Sequence, residues 1–547
     1  MNVTDASTIE HEQTEEEHPS VAALARDVSL GSGARQGAAW IGSARLTVQA
    51  IQFLVSIVTA RLLLPSEFGI AAVAMAIVAF AQLFTDLGLA AAIVHAKKVT
   101  DELLTTAFWL NIGAGMGLAV LVAALAYPFS LLYGHGELFK LLLIASLNFA
   151  VTRGAVQTAL LERTFNYRRL AIVETTAQLA GIVFVPIAAV LGLGASSLVL
   201  GPLLGTMLLS GGLWASVPWR PKGRPRRAQV VELWRFSRGL VAFNSVNYWA
   251  RNLDTLLLGN VVSTGQLGQY NRAFNLMMVP VQQMTWVLAR VLFPSLTRLR
   301  DDPPRLGRAW IRGLESAATL AMPVAVTFAA TAPALVAVLY GPRWTGTAPI
   351  LELLALAAVP QILVGSTGAV YRAIGLNDLL FKVGSIATAL SLIAIVGGLN
   401  WGTHGVAVGL LIAACVGLPI VTWPLIKRLS LGRRELTGSL LAITVPAFAL
   451  GGGEVAVRIV LHHHASPVVE LFLQLCAGGG LYVFALLQME SPALDIILTQ
   501  GSRLMRRVRS AAPTATAAPA AARGAGRARR AGRAERSTPA GRGPQRR

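Results

Sequence analysis

Five polar residues, Arg45, Gln49, Gln52, Ser56 and Thr59, interrupt the otherwise apolar run "RLTVQAIQFLVSIVTARLLLPSEFG". Their spacings of four, three, four and three put all five on one side of a helix. Further on, "FNSVNYWARNLDTLLLGN" carries Asn244, Asn247, Arg251 and Asp254 at spacings of three, four and three. Arginine, amide and hydroxyl groups on one face can replace the water around a polar solute. Arginine in particular suits oxyanions, because its fork makes paired hydrogen bonds and it keeps its charge. What such a stripe faces depends on the elements that carry it.

Composition decides what those elements are. The 547 residues are 54% hydrophobic and 14% charged, with a mean hydropathy of +0.59. Apolar windows of about 20 residues, enough to cross a hydrocarbon core ~30 Å thick, recur from Ala38 to Met489. Few show strand-like alternation, so the expected fold is an all-α polytopic membrane protein. Fourteen spans are expected, near 38–60, 69–95, 103–127, 138–160, 170–192, 196–217, 237–260, 270–295, 313–339, 347–371, 380–399, 404–426, 438–461 and 467–489. Short connections make neighbouring helices antiparallel. The organisation read from this is an acidic extension (1–36), a six-helix bundle (37–217), a basic linker (218–236), a second six-helix bundle (237–428), two added helices (429–490) and a basic, disordered tail (491–547).

Charge orients the spans. Alternate loops hold Arg163, Arg168 and Arg169; Arg220 to Arg238; Arg298 to Arg312; Arg372 and Lys382; and Lys427 to Arg434. The intervening loops carry little beyond Arg61, Arg343 and Arg458. The positive-inside rule then places both termini in the cytoplasm. The net charge of +20 is this bias plus an Arg-rich tail, so nucleic acid is not an expected partner. The tail would be drawn to anionic lipid headgroups by about 1 kcal/mol per charge near the surface, or serve only to solubilise. No cleavable leader is expected, because residues 1–36 are polar. Cys415 and Cys476 sit in apolar spans and read as small core residues.

The chain also repeats itself. "LLPSEFGIAAVAMA" (63–76) resembles "VVSTGQLGQYNRAF" (261–274), with Gly268 standing 199 residues after Gly69. Tyr133-Gly134 returns as Tyr340-Gly341, 207 residues later. Each half has an even number of spans, so the halves share orientation about an axis along the membrane normal. The shift of 199 maps Arg45 onto Asn244 and Gln52 onto Arg251, so the two polar stripes are expected to face each other across a central cavity. An arginine on a spanning helix costs about 2.5–3.5 kcal/mol by insertion scales, which argues against a lipid-facing position. Arg251 and Asp254 can also pair with each other, whereas Arg45 and Arg290 have no acid one turn away within the span. Arg153 on the fourth span, Gln282, Gln283 and Trp286 on the eighth, and Gln82, Asp86, Glu174 and Gln178 extend the polar set. Cations slightly outnumber acids, which favours an anionic substrate.

Three stretches resemble a known family. "ARLLLPSEFGIAAVAMAIVAFAQLFTDLGLAAAIVHAKKVTDELLTTAFWLN" (60–111), "LDTLLLGNVVSTGQLGQYNRAFNLMMVPVQQMTWVLARVLFPSLTRLRDDP" (253–303) and "LYGPRWTGTAPILELLA" (339–355) are similar to Wzx-type polysaccharide exporters of the MOP superfamily. The likeness is to the branch exporting lipopolysaccharide, colanic acid and teichuronic acid, and it runs from about 40 to 490. It implies a flippase in the bacterial plasma membrane that moves an undecaprenyl-diphosphate-linked oligosaccharide outward by alternating access. Its partners would be that polyprenyl-linked substrate, membrane lipids, and a polysaccharide polymerase and glycosyltransferases. The resemblance implies that Arg45 and Arg251, then Arg290 and Arg153, hold the diphosphate or acidic sugars.

Two other readings compete. A drug/cation antiporter of the same superfamily would want net acid in its cavity. A membrane glycosyltransferase or polymerase would want paired carboxylates on a long outer loop, and "GTH", "HHHASP" and "YGHGE" offer none. His462, His463 and His464 are consecutive on a loop, a weak pattern for a metal. No Gly-rich ATP motif appears, and neither an enzyme activity nor a cofactor is expected. Export of an anion could draw on the membrane potential, or a proton or Na⁺ could reset the carrier at Asp86, Asp254 or Glu174.

Overall fold

The computed structural model describes residues 47–86, 89–96, 99–151, 154–287, 296–461 and 465–489. The expectations for residues 1–36, for the tail 491–547 and for His462, His463 and His464 lie outside them. The described elements are helices. In hydrocarbon a segment has no water to satisfy its N–H and C=O groups, so it must bond them internally.

The first half contains α1 (Thr47–Leu62), α2 (Pro65–Asp86), α3 (Leu89–His95), α4 (Asp101–Leu132), α5 (Gly136–Ala150), α6 (Ala155–Arg163), α7 (Tyr167–Val190) and α8 (Ser196–Ser216). The second contains α9 (Arg227–Val261), α10 (Thr264–Val287), α11 (Pro303–Ala330), α12 (Ala332–Leu339), α13 (Thr347–Gly365), α14 (Thr367–Ala373), α15 (Asn377–Gly398) and α16 (Gly402–Arg428). Helices α17 (Arg433–Leu461) and α18 (Pro467–Gln488) pack on each other, with α17 against α11 and α18 against α12. Among the described residues nine helical stretches are long and apolar enough to cross a membrane, and ten if α5 and α6, bent by 48°, are one broken span. One of the nine, Asn377–Arg428, holds both α15 and α16. The described part of α1 is too short for that test. Helices α9 and α10 fall short because polar residues lower their hydropathy, and these are the helices of the second half's stripe.

Local signals set the helix ends. Thr100 accepts from Leu103 N–H at 3.2 Å to start α4, and Asp302 caps α11 ahead of Pro303 and Pro304. The internal repeat is visible in the same detail. At α10, Ser263 and Gln266 exchange a capping box, with Gln266 Oε1 accepting from Ser263 N–H at 3.3 Å. At α2, Glu67 Oε2 accepts from Leu64 N–H at 2.7 Å in the equivalent place. Both Tyr-Gly pairs follow a helix, and Gly134 and Gly341 take positive φ of 68° and 88° after α4 and α12.

The turns after α1, α9 and α12 gather at the end of the molecule away from the basic loops. There α2 and α10 cross with their backbones in contact. A Cβ on Gly69 would collide with the Thr264 carbonyl, and one on Gly268 with the Pro65 carbonyl. Thr264 and Gly268 each stand 199 residues after Pro65 and Gly69, so the crossing exchanges equivalent groups. The largest buried cluster runs through this crossing and joins residues from Ala60 to Leu450.

One expectation needs correcting. Cys415 and Cys476 are exposed on the helix surface, not in the core. In a membrane protein the lipid-facing surface is as apolar as the interior, so an apolar neighbourhood does not reveal burial.

Gly69→Leu and Gly268→Leu should each push α2 and α10 apart and cost about 1–3 kcal/mol, as overpacking does. Thermal unfolding in detergent checks this against Gly113→Leu, where nothing lies within 4 Å of the new Cβ and no loss is expected.

Candidate functional site

The stripe on α1 changes character along its length. Gln52 is exposed and Gln49 half-buried, and neither has a described hydrogen bond to another helix, so among the described residues this part of the stripe is free of protein partners. One turn further, Ser56 accepts from Arg272 Nη1 of α10 at 2.8 Å. Thr59 is 2% exposed and bonds its own helix at Val55 O. The stripe is therefore open toward the basic-loop end and sealed toward the other. Arg45, which begins it, lies outside the described residues.

The seal is built from both halves. Arg272 sits over the Phe68 ring, 3.8 Å from its centroid, with its Nε buried and without a hydrogen-bond partner. No carboxylate pairs with it among the described residues. Phe68 meets Trp344 edge-on at 5.3 Å, and Trp344 Nε1 donates to Ala60 O at 2.7 Å. Arg61 donates to Leu339 O at 3.0 Å and also to Val338 O, capping the end of α12. The repeated tyrosines cross in opposite directions. Tyr133 donates to Leu256 O of α9 at 3.1 Å, while Tyr340 bonds Ser56 of α1.

The second stripe is placed differently from the first. Asn244 is half-buried on α9. Asp254 is 3% exposed, and accepts from Tyr270 Oη of α10 at 2.6 Å and from Thr255 N–H at 2.7 Å. Beside the stripe, Tyr248 donates to Ala76 O of α2, and Phe80 stacks against Trp249 at 4.9 Å. The described polar contacts of α1 go to α10 and to the 338–344 turn, and those of α9 to α2, α4 and α10. Asn247, Arg251 and Asp86 occupy helical positions whose side chains lie outside the description, as do Arg153 and Arg290 entirely.

A further polar set lies within the first half. Asn111 donates to Thr85 O at 3.0 Å. Gln82 Nε2, Thr85 Oγ1, Asn148 Oδ1 and both polar atoms of Gln157 are buried without protein partners. Glu174 is half-buried on α7, within Coulombic range of Glu162 on α6. Among the described residues no group of three or more His, Cys, Asp or Glu could hold a metal.

Arg272, central to the seal, is a residue that the sequence pattern does not single out. A signal existed: it lies four residues after the repeated Gly268, on the helix that crosses α2.

Residues 58–349, more than half of the chain, match the family model for polysaccharide biosynthesis protein. The chain belongs to that family. This polysaccharide biosynthesis protein is similar to the lipopolysaccharide biosynthesis protein WzxC of Escherichia coli (strain K12), at 28% identity over 73% of this chain and 82% of that protein. It is similar to the succinoglycan biosynthesis transport protein ExoT of Rhizobium meliloti (strain 1021), at 26% identity over 85% and 93%. Its fold is that of the lipid II flippase MurJ in an inward closed conformation, with a TM-score of 0.67 at 15% identity, covering 81% of this chain and 97% of that one. These findings uphold the resemblance to Wzx-type exporters of the MOP superfamily.

For this polysaccharide biosynthesis protein, the buried indole of Trp344 is a direct test of the seal. Trp344→Ala should cost about 3–5 kcal/mol by the cavity it leaves. Trp344→Phe, which loses the bond to Ala60 O and keeps the ring contact, should cost about 1 kcal/mol. Chemical or thermal unfolding in detergent separates the two.

Proposed function

We propose that the protein is a flippase that carries an undecaprenyl-diphosphate-linked oligosaccharide from the cytoplasmic to the outer leaflet of the bacterial plasma membrane. The observation that carries this reading is the graded stripe on α1, open at Gln49 and Gln52 and sealed at Ser56 by Arg272. Family membership and the transport relatives support it. The charge bias of the basic loops supports an open end, and both termini, on the cytoplasmic side. The state described is then the one that admits substrate from inside.

The physical problem is a polar head that hydrocarbon excludes. A cavity lined by amides, hydroxyls and arginines replaces its water, while the lipid tail stays in the bilayer. Gln49, Gln52 and Asn244 are taken to line the path; the side chains of Arg45, Asn247, Arg251, Arg153 and Arg290, which the sequence offers for holding the anion, lie outside the description. Among the described residues Arg272 has no carboxylate to neutralise it. When the seal opens and Ser56 and Phe68 withdraw, its charge becomes available to the passing diphosphate.

Opening has a modest cost. The described bonds across the seal are Trp344 to Ala60, Arg61 to the end of α12, Arg272 to Ser56 and Tyr133 to Leu256. At about 0.5–1.5 kcal/mol net each, they sum to a few kcal/mol. A substrate that binds the opened state better by about that amount shifts the balance. With the inside negative, each exported negative charge adds about 2.3 kcal/mol per 100 mV. Asp86, Asp254 and Glu174 are the acids available if a cation resets the empty carrier. An exported repeat unit is the substrate of a polymerase on the outer face, and glycosyltransferases build it on the inner.

Proteoliposomes loaded with a labelled undecaprenyl-diphosphate oligosaccharide test the reading. Arg272→Ala should lower translocation at least tenfold, in line with about 1.5–3 kcal/mol for a charge-assisted bond, and Arg272→Lys should recover part of it. Arg45→Ala and Arg251→Ala should lose transport with normal insertion. Wild-type protein that inserts correctly and moves no such lipid would favour the antiporter.

Locking the seal gives a second test. In a background with Cys415→Ala and Cys476→Ala, Arg61→Cys and Val338→Cys joined by a cleavable bis-thiol reagent should abolish transport, and cleavage should restore it. Transport that continues at full rate through the linked protein contradicts an outer gate at this position.

A further inference from the structure

The first turns of α11 carry a feature that export does not use. Arg305, Arg308, Arg312 and Glu315 follow one another at spacings of three, four and three, so they share one helix face. This face does not look out into solvent alone. With Ser439 of α17 it walls an open hollow of about 640 Å3, floored by Leu299 and Ile311. Arg305 to Arg312 climbs about 10 Å along the helix, the depth over which a bilayer passes from headgroups to hydrocarbon.

Among the described residues the charges lining this hollow are not balanced. Arg305 pairs with Asp302 at 3.2 Å. Arg308 and Arg312 reach only the carbonyls of Pro304 and Arg308 on their own helix, at 3.4 Å each. Neither has a carboxylate partner among the described residues. Glu315 is the acid in the lining, against three arginines. Orientation of the chain needs arginines near the membrane surface, but it does not need them to line a hollow between two spanning helices. Two guanidinium forks, a hydroxyl and an apolar floor match an anionic group attached to a hydrocarbon chain.

We propose that this hollow binds the phosphate-bearing headgroup of a membrane lipid, with Arg308 and Arg312 holding its oxyanion. Ser439 adds a hydroxyl donor, and Leu299 and Ile311 take the first carbons below the phosphate. The chemistry is shared by two sources, a bulk anionic phospholipid and the polyprenyl diphosphate taken above as substrate. Basic pockets between spanning helices at a cytoplasmic face are suited to such headgroups. Only the leaflet rests on the orientation proposed above. Binding itself does not depend on the flippase reading.

Native mass spectrometry of the full-length protein in detergent tests this. The probes are phosphatidylglycerol, zwitterionic phosphatidylcholine and undecaprenyl diphosphate. The variants are R308Q/R312Q and R308K/R312K. The glutamine variant should bind anionic lipid about tenfold more weakly, the lysine variant should recover most of that, and phosphatidylcholine should be unaffected. Loss for phosphatidylglycerol identifies a bulk-lipid site. Loss confined to undecaprenyl diphosphate identifies a docking site for the transported lipid. Unchanged binding of both anionic lipids overturns the proposal. Wild-type protein gives a readout that needs no variant to fold: phenylglyoxal should modify Arg308 and Arg312 more slowly in phosphatidylglycerol nanodiscs than in phosphatidylcholine ones. Equal modification in both also overturns it.

Discussion

At the end away from the basic loops, the backbones of α2 and α10 touch, and nothing larger than hydrogen fits at Gly69 or Gly268. That crossing sets the distance between the two halves. It brings Phe68 under Arg272, Trp344 onto Ala60, and Ser56 within reach of Arg272 and Tyr340. Each contact crosses from one half to the other, and one, Tyr340 with Ser56, has a counterpart in Tyr133 with Leu256. In lipid no hydrophobic force drives helices together, so close backbone approach and interhelical hydrogen bonds must hold them, and both are concentrated here.

The same crossing explains the graded stripe. Where α1 lies against α10 its hydroxyls are used up by protein partners. Where the helices part, Gln49 and Gln52 are left for water or a solute. A pathway closed at one end and polar at the other needs no moving part beyond the crossing itself. Parting the helices there exchanges protein–protein bonds worth a few kcal/mol for bonds to substrate.

Much of this was legible in the sequence, because lipid leaves few choices. Apolar windows of spanning length become helices, and the repeated Gly69 and Gly268 do mark equivalent places. The acid and amide at Glu67 and Gln266 proved to be matching caps. What escaped were contacts made at long range. Asp254 accepts from Tyr270 on the next helix, a contact that nothing in the spacing announces. Arg272 became notable only when Ser56, Phe68 and Trp344, distant in sequence, gathered around it. Cys415 and Cys476 were misplaced because apolar spans look alike from inside and outside.

The central claim is that the α2–α10 crossing opens to release substrate outward. Pulsed electron spin resonance between labels at Ser66→Cys and Gly265→Cys, at the equivalent starts of these helices, measures it most directly in liposomes with the two native cysteines replaced. Without substrate the account predicts a single short distance, and with undecaprenyl-diphosphate oligosaccharide a second, longer population. A distribution that stays short and single while the lipid is being translocated contradicts it.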